Sequence, residues 1–272
     1  ALMFQKILIA NRGEISVRVI RTRREIGIKT VAIYSEPDRK SLHVLKADEA
    51  YCIGPGPSSE SYLNIKAILN IIKKTGADAV HPGYGFLSEH CDFAKAVNNI
   101  GVTWIGPSTD AITTMGDKMA ARKLAEKVGV PVVPGTTEPI KDLQTAKKTA
   151  EGIGYPILIK AAGGGGGKGM RIMQSPLELS DGIRRAKSEA GKAFDDDRIY
   201  MEKYLKQPHH IEIQVFADNH GNVVSMGERE CSIQRRYQKI IEETPSPFID
   251  SNLRDALSLS AVQITRACKY SG

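Results

Sequence analysis

Residues 156–173 read PILIKAAGGGGGKGMRIM. Two apolar runs enclose five consecutive glycines, and Lys160 and Lys168 bracket these glycines with positive charge. Glycines give a core no side chains and lose much conformational entropy on folding, so such a run suits a backbone that must approach a ligand closely. Bare N–H groups can surround the oxygens of a polyphosphate. The stretch therefore predicts a hairpin whose glycine loop, a flap, covers a phosphate chain.

The flap fits neither of two common phosphate-binding patterns. A Walker A loop would need glycine at Ala162, and Ser or Thr where Gly169 stands. A G-x-G-x-x-G match exists at Gly164, Gly166 and Gly169. However, a dinucleotide fingerprint opens a helix, and the residues that follow predict a strand. A flexible surface linker is the alternative interpretation, which the flanking strands and lysines disfavour.

Composition is typical of a soluble globular protein with one large domain or two smaller ones. The 272 residues are 41% apolar and 25% charged, with a net charge of +7. This charge suits nucleotides as well as nucleic acid, but no nucleic-acid-binding module is found. The four cysteines form no C-x-x-C pair, so neither a zinc site nor a redox dithiol is predicted. Free thiols and the lack of a signal peptide or membrane-spanning run predict a cytoplasmic protein.

Strands and helices alternate through residues 1–117. A strand at 6–10, a helix at 14–26 and a strand at 30–34 form a βαβ unit, which predicts a parallel sheet. The HPGYGF loop at 81–86 follows another strand, at the sheet edge where open α/β sheets bind ligands. We predict an N-terminal doubly wound domain over this region.

Residues 118–272 predict a second, α+β domain. Within it, residues 134–205 predict a lid that carries the flap, and the body begins at 206. Polar and apolar side chains alternate over 210–217, which predicts the first strand of a hairpin. The segment 228–239 mixes charged residues with Ile and Tyr, as functional surfaces do. An exposed, salt-bridged strand is the alternative interpretation for this segment.

The chain contains a series of motifs in a fixed order: IANRGEI (9–15), HPGYGF (81–86), MGDK (115–118), the flap (160–169), YMEKYL (200–205) and CSIQRR (231–236). In this order they resemble the biotin carboxylases, the ATP-grasp components of acetyl-CoA, propionyl-CoA and pyruvate carboxylases. The resemblance covers the whole chain. It implies an α/β protein in which a Rossmann-like, pre-ATP-grasp domain precedes an incomplete ATP-grasp domain with a glycine-flap lid.

The resemblance also implies an activity. An ATP-dependent ligase of this family activates bicarbonate as carboxyphosphate and places its CO₂ on the ureido nitrogen of biotin. The implied cofactors are ATP, Mg²⁺ or Mn²⁺, and biotin on a carrier domain, with bicarbonate as a substrate. The implied partners are a biotin carboxyl carrier protein or domain and a carboxyltransferase. A homo-oligomer is implied at full length, with no nucleic acid or membrane partner.

The resemblance assigns roles to individual residues by motif position. Those on the ATP side are Lys118, Lys160, Gly166, Gly167, Glu202, Lys203, Tyr204, Leu205, His210 and Tyr237. Those on the bicarbonate side, with a catalytic role, are Gln234 and Lys239. Tyr237 stands where many family members carry histidine, which puts an acid–base role there in doubt. The family's metal ligands and its principal catalytic Glu and Arg follow later, so no metal ligand is expected among these residues.

Two alternative functions stay open. Another ATP-grasp ligase that activates a carboxylate would share the fold and the flap, although the segment from Cys231 to Lys239 favours the carboxylase. A non-catalytic nucleotide-binding fragment is the other alternative, favoured by the early end of the chain. The 272 residues alone are expected to be inactive, and the flap from Gly163 to Lys168 is expected to move when no nucleotide is bound.

Overall fold

The computed structural model describes residues 4–163, 170–235 and 238–272. It divides into two compact units: unit 1 ends at Ile112, and unit 2 is Thr113–Ser271. The domain and lid boundaries predicted from the sequence stay predictions. Within the described ranges, no helix has both the length and the apolar character needed to cross a bilayer.

Unit 1 is built on a parallel sheet with strand order β3-β2-β1-β4-β5. Its strands are β1 (Lys6–Ile9), β2 (Lys29–Ser35), β3 (Glu49–Gly54), β4 (Ala79–His81) and β5 (Thr103–Trp104). The helices are α1 (Gly13–Glu25), α2 (Leu42–Lys46), α3 (Ile65–Thr75) and α4 (Cys91–Asn99), and α5 (Thr109–Gly116) follows β5. The parallel sheet that the sequence predicts is confirmed.

The central strands of unit 1 are buried on both faces. Ile7, Leu8 and Ile9 are fully buried in succession, as expected for a parallel strand with helices on both sides. Helix α3 shows why the helices begin and end where they do. The Asn64 side chain accepts the N–H of Ala67, and Gly76 ends the helix in the left-handed conformation.

The turn after β1 connects the carboxyl ends of neighbouring strands. The Asn11 amide donates hydrogen bonds to the carbonyls of Pro82 and Tyr84, at 2.8 and 2.7 Å. The same turn places Arg12 against Asp38 after β2, with donor–acceptor distances of 2.6 and 2.7 Å. Two residues of the IANRGEI motif therefore act as structural clamps.

Asp38 is the acceptor at the centre of a buried network. Asp38 is 7% exposed, and its carboxylate accepts hydrogen bonds from Arg12, from the Tyr62 hydroxyl at 2.6 Å, and from Ser35 and Ser41 at 3.2 and 3.3 Å. The Arg12 hydrogen bonds are the main reason that the pKa of Asp38 lies well below its usual range. The network holds the segment after β2 against the rest of unit 1.

Unit 2 contains two antiparallel sheets, with strand orders β7-β6-β8 and β11-β10-β9. The strands are β6 (Ile157–Ala161), β7 (Arg171–Met173), β8 (Ile199–Lys203), β9 (Ile211–Ala217), β10 (Val223–Arg235) and β11 (Gln238–Glu243). The helices after α5 are α6 (Lys118–Lys127), α7 (Leu143–Ile153), α8 (Leu179–Phe194) and α9 (Ser251–Ala267). The ATP-grasp-like α+β architecture predicted for this region is confirmed.

The first sheet of unit 2 packs on its helices through alternate residues. Ile157 and Ile159 of β6 are fully buried in a core that includes residues of α7 and α8. Leu158 and Lys160 point to the opposite face, because successive side chains of a strand alternate. Leu158 and Lys160, on this second face, line a cavity of unit 2.

The second sheet packs against α9 and includes a buried ion pair. Arg254 of α9 lies 2.8 Å from the carboxylate of Glu228, whose side chain is 2% exposed. This contact is the main reason that the pKa of Glu228 falls to about 2. Strand β10 continues to Arg235 and pairs with β11, so the charged segment 228–239 forms parts of a second hairpin.

Candidate active site

A cavity of about 600 Å³ in unit 2 gathers most of the predicted site residues. Those that line it are Lys160, Glu202, Lys203, Tyr204, Leu205, His210 and Gln234. Its other lining residues are Val133, Leu158, Met170, Ile172, Pro208, His209, Ile211 and Ser232. Lys118 and Lys239 are not among the lining residues. Gly166, Gly167 and Tyr237, with the central part of the flap, lie outside the described residues.

Lys160 and Glu202 form an ion pair across two paired strands. In the antiparallel register Leu158 lies opposite Glu202, and Lys160 lies opposite Tyr200. Lys160 and Glu202 are thus diagonal neighbours on one face, within reach of long side chains. The Lys160 ammonium contacts one carboxylate oxygen of Glu202, with the two side chains 25% and 14% exposed.

Lys118 begins helix α6 close to this pair. Asp117 caps the helix by accepting the N–H groups of Met119 and Ala120, at 2.9 and 3.0 Å. Burial is the main cause that lowers the pKa of Lys118, and the positive charge of Lys160 is the second. Two ammonium groups are therefore close enough to repel each other, which is a favourable arrangement for a polyanion.

The contribution of the Asp117 cap to stability can be tested by substitution. Asp117→Ala removes the two capping hydrogen bonds and the 3.2 Å contact between Asp117 and Arg198. We expect a loss of about 1 kcal/mol in the free energy of unfolding, as for other aspartate caps. Denaturant titration followed by circular dichroism measures it. Asp117→Ser restores a capping side chain and should recover most of the loss, and equal stabilities for both variants would contradict the capping role.

The two residues after Glu202 are held by hydrogen bonds from both backbone and side chain. The N–H of Lys203 donates to the Pro134 carbonyl and that of Tyr204 to the Pro156 carbonyl, at 2.7 and 3.1 Å. The Lys203 ammonium donates to the carbonyls of Gly154 and Tyr155, at 2.9 and 3.0 Å. The Lys203 side chain thus fastens β8 to the loop before β6.

His210, Gln234 and Lys239 come together around Glu212, which sequence reasoning left without a role. The Gln234 amide donates to Nδ1 of His210 at 2.7 Å, which leaves the ring hydrogen on Nε2, 3.1 Å from the Glu212 carboxylate. The Lys239 ammonium contacts that carboxylate as well. The alternating polar face of β9 was the available signal, since it put His210 and Glu212 on the same side.

The charges around Glu212 fix the protonation states of Glu212 and Lys239. Burial by itself would raise the pKa of Glu212, but hydrogen bonds from Lys239 and Arg229 outweigh it and lower that pKa. The same contact with Glu212 raises the pKa of Lys239. The carboxylate is therefore ionised and the ammonium protonated at neutral pH, so Lys239 serves as a fixed positive charge.

Among the residues that the structure describes, one trio has metal-ligand proximity. Ligand atoms of Glu212, Cys231 and Glu242 lie within 4.8 Å of one another. Burial raises the pKa of the Cys231 thiol, and Arg229 lies 3.1 and 3.7 Å from the two carboxylates. A protonated thiol and carboxylates that are ion-paired with Arg229 do not fit Mg²⁺, which prefers oxygen ligands in near-ideal octahedral geometry.

Two family models match the chain and together cover most of it. Residues 117–272 match the ATP-binding domain of the carbamoyl-phosphate synthase L chain, which defines an ATP-binding protein of the ATP-grasp class. Residues 3–112 match the N-terminal domain of biotin carboxylase. With the fold and the relatives described next, the chain belongs to the biotin carboxylase family.

Known proteins are similar in sequence to this chain over nearly its whole length. It is 52% identical to biotin carboxylase 1 of Bacillus subtilis, over 99% of this chain and 60% of that protein. It is 54% identical to the mitochondrial propionyl-CoA carboxylase alpha chain of Homo sapiens, over 98% of this chain and 37% of that protein.

A solved structure of similar fold is the biotin carboxylase domain dimer of Hydrogenobacter thermophilus 2-oxoglutarate carboxylase with MgADP, ADP and bicarbonate. Its TM-score is 0.95 at 45% identity, over 100% of this chain and 60% of that one. The chain thus spans at most about 60% of the length of these three proteins.

Proposed function

We propose that the chain is part of the biotin carboxylase component of a biotin-dependent carboxylase, which carboxylates biotin with bicarbonate and ATP. The observation that carries this proposal is the cavity of unit 2, in which Lys160, Glu202, His210 and Gln234 converge. Membership of the biotin carboxylase family supports it, as does the bicarbonate and MgADP complex of the Hydrogenobacter thermophilus domain. The relatives are ATP-dependent ligases, and this chain would share their reaction.

In this proposal the nucleotide occupies the cavity. Leu158, Ile172 and Leu205 supply apolar walls for an adenine ring, and the lining residues Tyr204 and His210 supply polar groups. Lys160 and the nearby Lys118 face the phosphates. Gly166 and Gly167 are proposed to cover the phosphates from the flap, as the resemblance implies.

Gln234 and Lys239 are proposed to bind bicarbonate beside the terminal phosphate. Because Lys239 is held protonated by Glu212, it attracts an anion and cannot act as a base at neutral pH. The Gln234 amide is fixed by the Cys231 carbonyl at 2.8 Å and by His210. These residues would orient bicarbonate for attack on phosphorus, where positioning gives much of the rate.

The charged groups have a second role as the reaction proceeds. Negative charge spreads over the phosphate oxygens during phosphoryl transfer, and fixed cations such as Lys160 and Lys118 stabilise it. Magnesium, when bound, supplies further charge neutralisation to the phosphates. The trio at Cys231 does not fit that ion, so no step is assigned to a metal ligand in these residues.

The finer assignments follow the family. Biotin is proposed to arrive on a carrier protein or domain, and a carboxyltransferase to use the product. The similarity to the propionyl-CoA carboxylase alpha chain supports the proposal that a carrier and a carboxyltransferase are partners. The dimer named for the Hydrogenobacter thermophilus domain supports a homo-oligomer. The free cysteines support a reducing compartment, and we propose the cytoplasm.

Nucleotide titration tests the proposal directly. Calorimetry of the chain with MgATP is expected to give a weak but measurable affinity, because the ground-state contacts lie within unit 2. Phosphate release with bicarbonate and free biotin is expected to stay at background, because the resemblance places the metal carboxylates and the essential arginine outside these residues.

Each outcome has a distinct meaning. Failure of MgATP to bind would contradict a nucleotide site in the cavity. Strong biotin-stimulated phosphate release would show that the catalytic residues are misassigned. Phosphate release stimulated by an organic carboxylate, and not by bicarbonate with biotin, would favour another ATP-grasp ligase.

A further inference from the structure

Arg122 lies beneath the cavity wall, in a position that motif reasoning did not identify. It follows Lys118 by one turn of α6, and its side chain is 9% exposed. Its Nη1 atom is 3.8 Å from the Glu202 carboxylate. Its Nη2 atom donates to the carbonyl of Val133, another lining residue of the cavity. A single buried guanidinium thus contacts two parts of the wall.

The carboxylate of Glu202 stands between two cations. One oxygen contacts the Lys160 ammonium, and the other faces Arg122. With Lys160 as its only partner, Glu202 would form a closed ion pair and cancel the charge that a phosphate needs. A second cation on the far side compensates Glu202. Glu126, 3.6 Å from Arg122, adds a second carboxylate, but its side chain is 44% exposed and its charge is screened by water. The less exposed groups Lys160, Arg122 and Glu202 therefore still present net positive charge to the cavity.

The geometry explains why the second cation has to be held in place. Ionised groups this far from water are costly unless they are paired and hydrogen-bonded. The Val133 carbonyl accepts a hydrogen bond from Arg122, and the Glu126 carboxylate, 3.6 Å from Nε, adds an ion-pair contact without a hydrogen bond. The planar guanidinium can contact these groups and Glu202 together, which a lysine ammonium does less well.

We propose that Arg122 is a positioning residue of the nucleotide site, which compensates the charge of Glu202 and thereby leaves Lys160 available to a nucleotide phosphate. This inference rests on the proposed function, since it takes a polyphosphate ligand for granted. Arg122 does not contact the ligand itself. Its effect on nucleotide affinity acts through Glu202.

A double-mutant cycle tests this dependence. Arg122→Met is expected to weaken MgADP binding to the chain about tenfold, because the whole charge of Glu202 then falls on Lys160; tenfold corresponds to about 1.4 kcal/mol. In a Glu202→Gln background the same substitution should change affinity less than twofold, because the charge that needs compensation is gone. Arg122→Lys, which keeps the charge, should stay within about threefold of wild type.

The matched control is Arg254→Met, which removes a guanidinium that is ion-paired with the buried Glu228, away from the lining residues. It should lower the melting temperature and leave MgADP affinity within twofold. If Arg122→Met does not fold, Arg122→Gln takes its place in the cycle. An equal loss in both Glu202 backgrounds, or no loss in either, overturns the inference. Failure of wild type to bind MgADP overturns the proposed function itself.

Discussion

Replacing Lys160 with alanine is expected to lower nucleotide affinity and turnover far more than stability. The ammonium faces the cavity, 25% exposed, while its neighbours Ile157 and Ile159 carry the core packing of β6. A hydrogen bond to a charged group contributes about 1.5–3 kcal/mol, so MgATP affinity of the chain should fall about 10- to 100-fold. In a protein with the full length of its relatives, turnover should fall about 10²- to 10³-fold.

Stability should respond weakly to the same change. Glu202 loses one cation but retains Arg122 at 3.8 Å, so its carboxylate is not left alone in the wall. We expect the free energy of unfolding to change by about 1 kcal/mol or less. Calorimetric titration and thermal melting of the same samples measure both effects.

Lys192→Ala is the control for Lys160→Ala. Lys192 is an exposed lysine of α8 outside the lining residues, and its loss should leave both affinity and melting temperature unchanged. Unchanged affinity and turnover in Lys160→Ala would remove Lys160 from the site. A loss of affinity matched by unfolding would assign it a structural role instead.

Sequence patterns predicted the elements whose burial follows a simple rule. Strands β1, β2 and β6 are short apolar runs buried on at least one face. Strand β3, Glu49–Gly54, was missed because only Ile53 in it is buried. Strand β11 was missed for the same reason, since all of its residues are exposed.

The contacts around Glu212 could not be predicted because they depend on strand register. Irregularities in β10 fall between Ser225 and Glu228 in its pairing with β9, and after Glu230 in its pairing with β11. Gly227, with φ of +87°, lies within the first of these. A slip of one residue moves side chains to the opposite face. Sequence named His210, Gln234 and Lys239, but only the folded hairpins show that Glu212 connects them.

The sequence also could not show which acceptors the cationic side chains of the site contact. The motif implied that Lys203 belongs to an ATP-binding strand, which stays a prediction, but it did not show that the Lys203 ammonium donates to two backbone carbonyls. Arg122 is the converse case. An arginine on a helix is expected to be solvent-exposed, but the folded structure buries it beside Glu202 of β8. In both cases tertiary packing decides which acceptor the cation meets.

Replacing Asp38 with asparagine is expected to destabilise unit 1 by about 2–3 kcal/mol. Asparagine keeps the shape, but it leaves the Arg12 guanidinium without its counter-charge and weakens the bonds from Tyr62 and Ser35. Removing one partner of a buried, hydrogen-bonded charge has costs of this order. Denaturant unfolding followed by the fluorescence of Trp104 measures it, because this single tryptophan is buried in the core of unit 1.

The dependence of stability on acidic pH should distinguish the contribution of the Asp38 charge from that of the side-chain shape, which asparagine keeps. The folded pKa of Asp38 lies below its ordinary value of 3.8, so the unfolded chain takes up the proton first as pH falls. Its contribution is therefore fully present well above pH 3.8 and is lost progressively below it. Wild type should lose stability steeply in that range, and Asp38→Asn less steeply. Glu36→Gln, at an exposed carboxylate nearby, should behave as wild type within about 0.5 kcal/mol. If Asp38→Asn instead matched wild type in both stability and acid slope, the network would not be what holds the segment after β2.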